Sequence, residues 1–138
     1  MSSETITKKI LSYVENHLDE DLSLEKMANE LQYSKFYIAR VFKEHTGHTL
    51  YRYMQDRRLT EAAKKLAETT QPIVEIALEA GYSSQQAFTK AFRYKYICTP
   101  QEYRRIGIFV PKQNKIDMKQ NKRFTLCSGK FMGGNIAA

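Results

Sequence analysis

Apolar residues recur at helical spacing, three and four apart, through most of the chain. Ile6, Ile10, Tyr13/Val14 and His17/Leu18 form such a stripe and predict a first helix from Glu4 to Leu18. Leu24 to Leu31 reads as a short helix, followed by a turn at Gln32-Tyr33 and a helix from Lys35 to about Glu44 with Ile38, Val41 and Phe42 inward. Tyr53, Met54, Leu59, Ala62/Ala63 and Leu66 line one side of a long helix from Leu50 to about Ala67. Pro72 to Ala80 predicts another short helix, and Phe88, Ala91 and Phe92 mark the inner face of the one after it. A short closing helix runs through Tyr103, Arg104 and Arg105.

Local signals place the ends. Ser23 caps the second helix, with Leu22 and Met27 spaced as a hydrophobic staple. Pro72 suits a first helical position and Gly81 a left-handed stop. Ser83 with Gln86 three residues on reads as a capping box, and Thr99-Pro100-Gln101-Glu102 as a second one. The pattern predicts an all-α fold of two helix-turn-helix subdomains on a long linker helix. The domain spans 1–107, with lobes at about 5–49 and 68–107 and the linker at about 50–67.

The two subdomains are copies. Tyr33-Ser34 precedes Tyr82-Ser83 by 49 residues, and Ala28 precedes Ala77 by the same step. One inserted residue then makes the step 50, pairing Phe42 with Phe92, Lys43 with Arg93, Thr49 with Thr99 and Tyr53 with Tyr103. Repetition at a fixed step marks a repeated structural unit.

The faces opposite the apolar stripes carry the candidate chemistry. In the first copy they hold Lys35, Phe36, Ala39, Arg40 and Lys43; in the second, Gln85, Gln86, Thr89, Lys90 and Arg93. Gln reaches adenine N6 and N7 together, Arg and Lys reach guanine O6/N7 or phosphate, and Thr bonds a base edge or meets a thymine methyl. Two such faces at matching repeat positions point to double-stranded DNA. On this reading Arg40 and the Gln85/Gln86 pair read bases, while Lys43 and Arg93 hold phosphate.

Charge sharpens this picture. The chain carries a formal net charge of +7, yet residues 1–107 hold 16 Lys/Arg against 14 Asp/Glu, and residues 108–138 hold 6 against 1. Local segregation says more than the total. Six acids and one Lys lie between Glu15 and Glu30, and five cations and one acid between Lys90 and Arg105. That places positive potential on the reading side and negative potential behind it. The basic tail, 108–138, has four open fates: disorder, packing on the main domain, pairing with another chain, or forming the stub of a further domain. Arg123 to Cys127 alternates like a single strand.

No apolar run approaches membrane length, and the N-terminus has no signal-peptide core. Cys98 and Cys127 make no disulfide framework, so a cytoplasmic location is expected. His45-x-x-His48 is the one metal-like spacing, better read as a helix end; neither metal nor cofactor is expected. Neither paired carboxylates nor a nucleophile beside a base stands out, so catalysis has no candidate residue.

From Ile6 to Arg105 the chain resembles the DNA-binding domain of the AraC/XylS transcription regulators. The resemblance is carried by Leu22 to Ala28, Tyr37 to Lys43, Gly47 with Tyr53, Arg58-Leu59, Pro72-Ile73 through Ala77, Gly81-Tyr82, Phe88 to Phe92 and Thr99-Pro100-x-x-Tyr103-Arg104. Through Tyr82-x-Ser84-Gln85-Gln86, and with no N-terminal sensor domain in this sequence, it is most like the stand-alone Mar/Sox/Rob branch. The resemblance implies seven helices and a monomer that sets two recognition helices into successive major-groove segments. It carries base contact to Phe36, Ala39 and Arg40 in the first helix, and to Gln85, Gln86, Ala87, Thr89 and Lys90 in the second. It also implies a regulator that is usually an activator; the acidic Glu15–Glu30 region reads first as a solvated helix face and second as a contact for RNA polymerase. Departures are Phe36, Ala39, Lys90 and, in place of a common glycine, Ile97. The competing readings are a non-specific basic nucleic-acid binder and a DNA-repair methyltransferase fusion; the missing zinc-binding cysteine cluster counts against the second.

Overall fold

The computed structural model describes residues 2–20 and 23–117. Among these are seven helices and no strand: α1 (Ser3–Asn16), α2 (Leu24–Leu31), α3 (Lys35–Thr46), α4 (Leu50–Glu68), α5 (Ile73–Glu79), α6 (Gln85–Tyr96) and α7 (Pro100–Ile106). The expected Leu22 staple, the alternating Arg123–Cys127 stretch and Cys127 itself lie outside the described residues.

Two separate apolar cores form. The first gathers Ile6, Ile10, Val14, Met27, Ile38, Val41 and Phe42 with Leu50, Tyr53 and Met54 from the start of α4. The second gathers Ile76, Ala77, Phe88, Phe92, Tyr96 and Tyr103 with Leu59, Ala62, Ala63 and Leu66 from its later turns. At about 100° of rotation per residue, the two sets of α4 residues fall on opposite sides of the helix. One helix therefore serves both cores, each lobe seated on its own flank of α4. In α1 the buried stripe is completed by Leu11, whereas Tyr13 and His17 stay half-buried and stack on each other with ring centroids 4.0 Å apart.

The turns repeat as closely as the helices do. Gln32 takes a left-handed φ of 65°; the Tyr33 N–H donates to the Ala28 carbonyl at 3.1 Å and the Gln32 N–H to Asn29 at 3.3 Å. Gly81 does the same at φ 91°, with Tyr82 donating to Ala77 at 3.1 Å and itself to Leu78 at 3.0 Å. Both are Schellman closures that satisfy the last carbonyls of the leading helix. A Cβ at Gly81 would also meet the Arg58 guanidinium, which would have to shift aside.

Three expected helix starts move by one residue, the first being α1, which runs Ser3–Asn16 where the apolar stripe predicts Glu4 to Leu18. Pro72 is the residue before α5 rather than its first member: its ψ is 138°, extended, and its carbonyl accepts from Glu75 at 3.0 Å and Ile76 at 3.1 Å. Proline has no side-chain acceptor, so that end is held by backbone alone. The cap of α6 is Ser84, not Ser83; Ser84 is extended and its Oγ accepts from the Ala87 N–H at 3.1 Å. Ser84 thus matches Ser34, whose Oγ accepts from Tyr37 at 3.1 Å, and the inserted residue is Ser83 itself. The Thr99–Glu102 capping box forms as expected: Glu102 accepts from the Thr99 N–H at 2.8 Å and Thr99 from the Glu102 N–H at 3.1 Å.

Charged side chains tie the lobes to α4. Arg57, only 4% exposed, donates to both Glu15 carboxylate oxygens at 2.9 and 2.6 Å, to Glu61 at 3.1 Å and to the Gln113 carbonyl at 2.9 Å. Lys65 bridges Asp19 beyond α1 at 3.1 Å and Glu79 of α5 at 2.6 Å. Residues 107–117 run back over the domain: Val110 donates to the Tyr103 hydroxyl at 2.8 Å, Gln113 to Thr60 at 3.0 Å and Ile116 to the Tyr53 hydroxyl at 3.1 Å. Of the fates open to the tail, its first ten residues, 108–117, pack on the main domain.

Candidate nucleic-acid interface

Each second helix buries one stripe and leaves the opposite one to solvent. In α3, Ile38, Val41 and Phe42 are buried while Phe36, Arg40 and Lys43 are exposed and Lys35 and Ala39 half-exposed. In α6, Phe88 and Phe92 are buried while Gln86, Ala87, Lys90 and Arg93 are exposed and Gln85 and Thr89 half-exposed. All eleven candidate positions therefore stand on the free faces of these two helices.

Their surroundings differ. Phe36 is 78% exposed, so the partial burial against Tyr33 or Tyr37 that its size invites does not occur. Those two rings pack on each other instead, 5.4 Å apart, against the first core. Lys35 lies 5.6 Å over the Phe36 ring and reaches back to Glu25 of α2 at 2.9 Å. That hydrogen bond holds the Glu25 carboxyl below its usual range. Arg40 sits 5.3 Å over the Tyr37 ring and 3.5 Å from Glu44, one turn further on. The Glu44 contact joins two exposed side chains, where such pairs contribute little.

Between α4 and α6 lies an open cleft of about 1240 Å³, bounded by Arg52, Gln55 and Asp56 on one side and by Gln85, Gln86, Thr89, Lys90 and Arg93 on the other. A smaller cleft of about 400 Å³ lies between the lobes, lined by Ser23, Leu24, Glu25, Tyr51, Arg58 and Gly81 among others. Gln55 and Tyr82 line both, so the two adjoin across α4. Lys35 at the start of α3 binds Glu25, which lines the inter-lobe cleft, while Gln85 and Gln86 of α6 wall the larger one.

Sequence reasoning missed the α4 contribution to this surface. Tyr51, Gln55 and Arg58 follow at i, i+4 and i+7, a stripe between the two lobe-bearing flanks, and that spacing was the available signal. Gln55 donates to the Tyr51 hydroxyl at 2.9 Å, and Asp56 holds Lys95 of α6 at 3.1 Å. His48 is pushed below its ordinary pKa by burial; among the described residues no group of three or more His, Cys, Asp or Glu side chains is arranged to hold a metal. No helix among them is long and apolar enough to cross a membrane.

Two helix-turn-helix units on one rod, each with a cation-bearing face left to solvent, define a two-headed DNA-binding module. A family model described as a helix-turn-helix domain matches residues 27–106. The Transposon Tn10 TetD protein of Escherichia coli is 46% identical over 101 residues, covering 73% of each chain. Regulatory protein SoxS of Salmonella typhimurium is 38% identical over 104 residues, 75% of this chain and 97% of that one. The right origin-binding protein of E. coli K12 is 42% identical over 133 residues, 91% of this chain but only 46% of its own length. Among solved structures, the C-terminal domain of AraT, a response regulator from Geobacillus stearothermophilus, superposes with a TM-score of 0.70 at 30% identity, covering 80% of this chain and 93% of that one. The chain belongs to the AraC/XylS family of transcription regulators and carries that family's DNA-binding domain.

Proposed function

We propose that this chain is a sequence-specific, double-stranded-DNA-binding transcription regulator that sets α3 and α6 into adjacent major-groove segments. The reading is supported most by one observation: both recognition helices bury their apolar stripe and leave the candidate contact face to solvent, at matching positions of the two repeats. Gln85, Gln86 and Arg40 are the base-reading candidates, because their amide and guanidinium forks match adenine and guanine edges. Phe36, Ala39, Ala87, Thr89 and Lys90 shape the fit around them. Lys43 and Arg93 hold phosphate, since each stands exposed at the later turns of its helix. Lys35 joins them once a phosphate replaces Glu25 at its ammonium.

One chain supplies both heads, so a monomer on an asymmetric site is the working unit. Successive major grooves on one face of straight DNA are about 34 Å apart. A shorter span between α3 and α6 would bend the duplex and add shape-dependent specificity. Activation through RNA polymerase, with the protein in the cytoplasm, completes the proposal.

Selection of bound fragments from genomic DNA supplies the target, and competition with random duplex tests it. Arg40→Ala should cost about 1–3 kcal/mol of binding and relax one base preference. Arg93→Ala should lower affinity evenly across sequences and reduce the salt slope by about 1. Equal affinity of the parent for target and random duplex would replace this reading with non-specific binding. An Arg40 variant that bound target and scrambled DNA as the parent does would remove Arg40 from the readout.

A further inference from the structure

A single helix is a poor guarantee of a fixed distance between two lobes, because each lobe grips a different stretch and a different flank of it. The segment after α7 closes a second path between them. Phe109 packs against the second core, and its neighbour Val110 is bonded to the Tyr103 hydroxyl at 2.8 Å. Lys112 lies 5.6 Å over the Tyr96 ring, still on that lobe. The segment then crosses α4, where Gln113 donates its N–H to Thr60 at 3.0 Å and offers its carbonyl to buried Arg57 at 2.9 Å. It ends on the first lobe, with Ile116 packed against that core and its N–H on the Tyr53 hydroxyl at 3.1 Å. Ile116 lies seven residue steps beyond Phe109, a reach of at most about 25 Å when extended.

We propose that residues 107–117 are a brace that fixes the angle between the two DNA-reading lobes, with Arg57, Gln113 and Ile116 as positioning residues for two-groove binding. Arg57 is the keystone because it joins α1, α4 and the brace, through Glu15, Glu61 and the Gln113 carbonyl. Tyr53 and Tyr103 occupy the same place in the two repeats, and the brace uses the hydroxyl of each. Symmetry-related anchors at both ends make the segment a strut rather than a trailing end. Its value lies in effective concentration: once one head is bound, a fixed angle presents the other at its groove, and a loose angle spreads it over useless orientations.

The proposal rests on the two-headed DNA reading, and the test separates the two. In the full chain, Cys98 and Cys127 become Ser, and spin labels are placed at Lys9→Cys on α1 and Gln101→Cys on α7, both exposed and off the recognition faces. Ile116→Asp should broaden the inter-label distance distribution and lower affinity for a duplex spanning both grooves about tenfold. Affinity for a half-length duplex that accepts one head should change less than twofold, which a merely destabilised fold would not produce. An unchanged distance distribution, or equal losses on both duplexes, would overturn the brace. Should Ile116→Asp lose its helical circular dichroism, Ile116→Ala and Gln113→Pro carry the same comparison with milder damage. If the parent fails to prefer its selected target over random DNA, the DNA reading falls while the label distances still report on the brace.

Discussion

Ile97 sits where its backbone should not be. It follows α6 at φ 63° and ψ 22°, the left-handed region, and its N–H closes the helix on the Arg93 carbonyl at 2.8 Å. A β-branched side chain crowds its own backbone there, at a cost of about 1–2 kcal/mol. The side chain recovers little, being 81% exposed. Ile97→Gly should remove the strain and forfeit a few tenths of a kcal/mol of burial; the looser unfolded chain takes back about 0.5–1 kcal/mol. The net is a gain of about 0.5 kcal/mol, or roughly 2–4 °C in melting temperature for a domain near 100 residues. Urea unfolding followed by circular dichroism reads it as a higher midpoint at unchanged slope. The first repeat supplies the control, since Gly47 occupies the matching position at φ 80° and a Cβ there would meet no atom within 4 Å. Gly47→Ala should cost about 1 kcal/mol from backbone strain alone. If Ile97→Gly lowers the midpoint while Gly47→Ala leaves it alone, the left-handed cap is not where strain resides.

Three further outcomes follow from the packing. Ser84→Ala should cost about 1 kcal/mol of stability through loss of the α6 cap, whereas Ser83→Ala should be silent in the same urea titration; the reverse order would return the cap to Ser83. Arg57→Met should cost about 2 kcal/mol, below the 3–5 kcal/mol typical of fully buried pairs because Glu15 and Glu61 keep partial access to water, and calorimetry that finds no loss would demote the network. Burial pushes Tyr53 and Tyr96 up to about 12 from 10.0, so the folded state keeps protons that the unfolded chain sheds above pH 10. Stability is therefore full below pH 10 and falls as pH rises toward 12, by up to about 1.4 kcal/mol per unit for each tyrosine. Tyr96→Phe should flatten that alkaline slope, and a slope equal to the parent's would point to other groups.

The helices, their inward faces and the repeat are all written in residue spacing. Ile38, Val41 and Phe42, like Phe88 and Phe92, have only one way to reach a core from a helix, and that choice turns the cation and amide faces outward. The α6 cap was legible only to within a residue, because Ser83 and Ser84 are chemically equal and only the extended backbone of Ser84 separates them. Arg57 could not be found at all. An arginine on an amphipathic helix reads as solvated until its partners, Glu15 forty-two residues before and the Gln113 carbonyl fifty-six after, are brought to it. The same holds for the clefts that adjoin at Gln55 and Tyr82 and for the brace across α4. Periodicity fixes which side of a helix faces inward; how two lobes sit on one rod depends on contacts distant in the chain, and only packing in three dimensions supplies those.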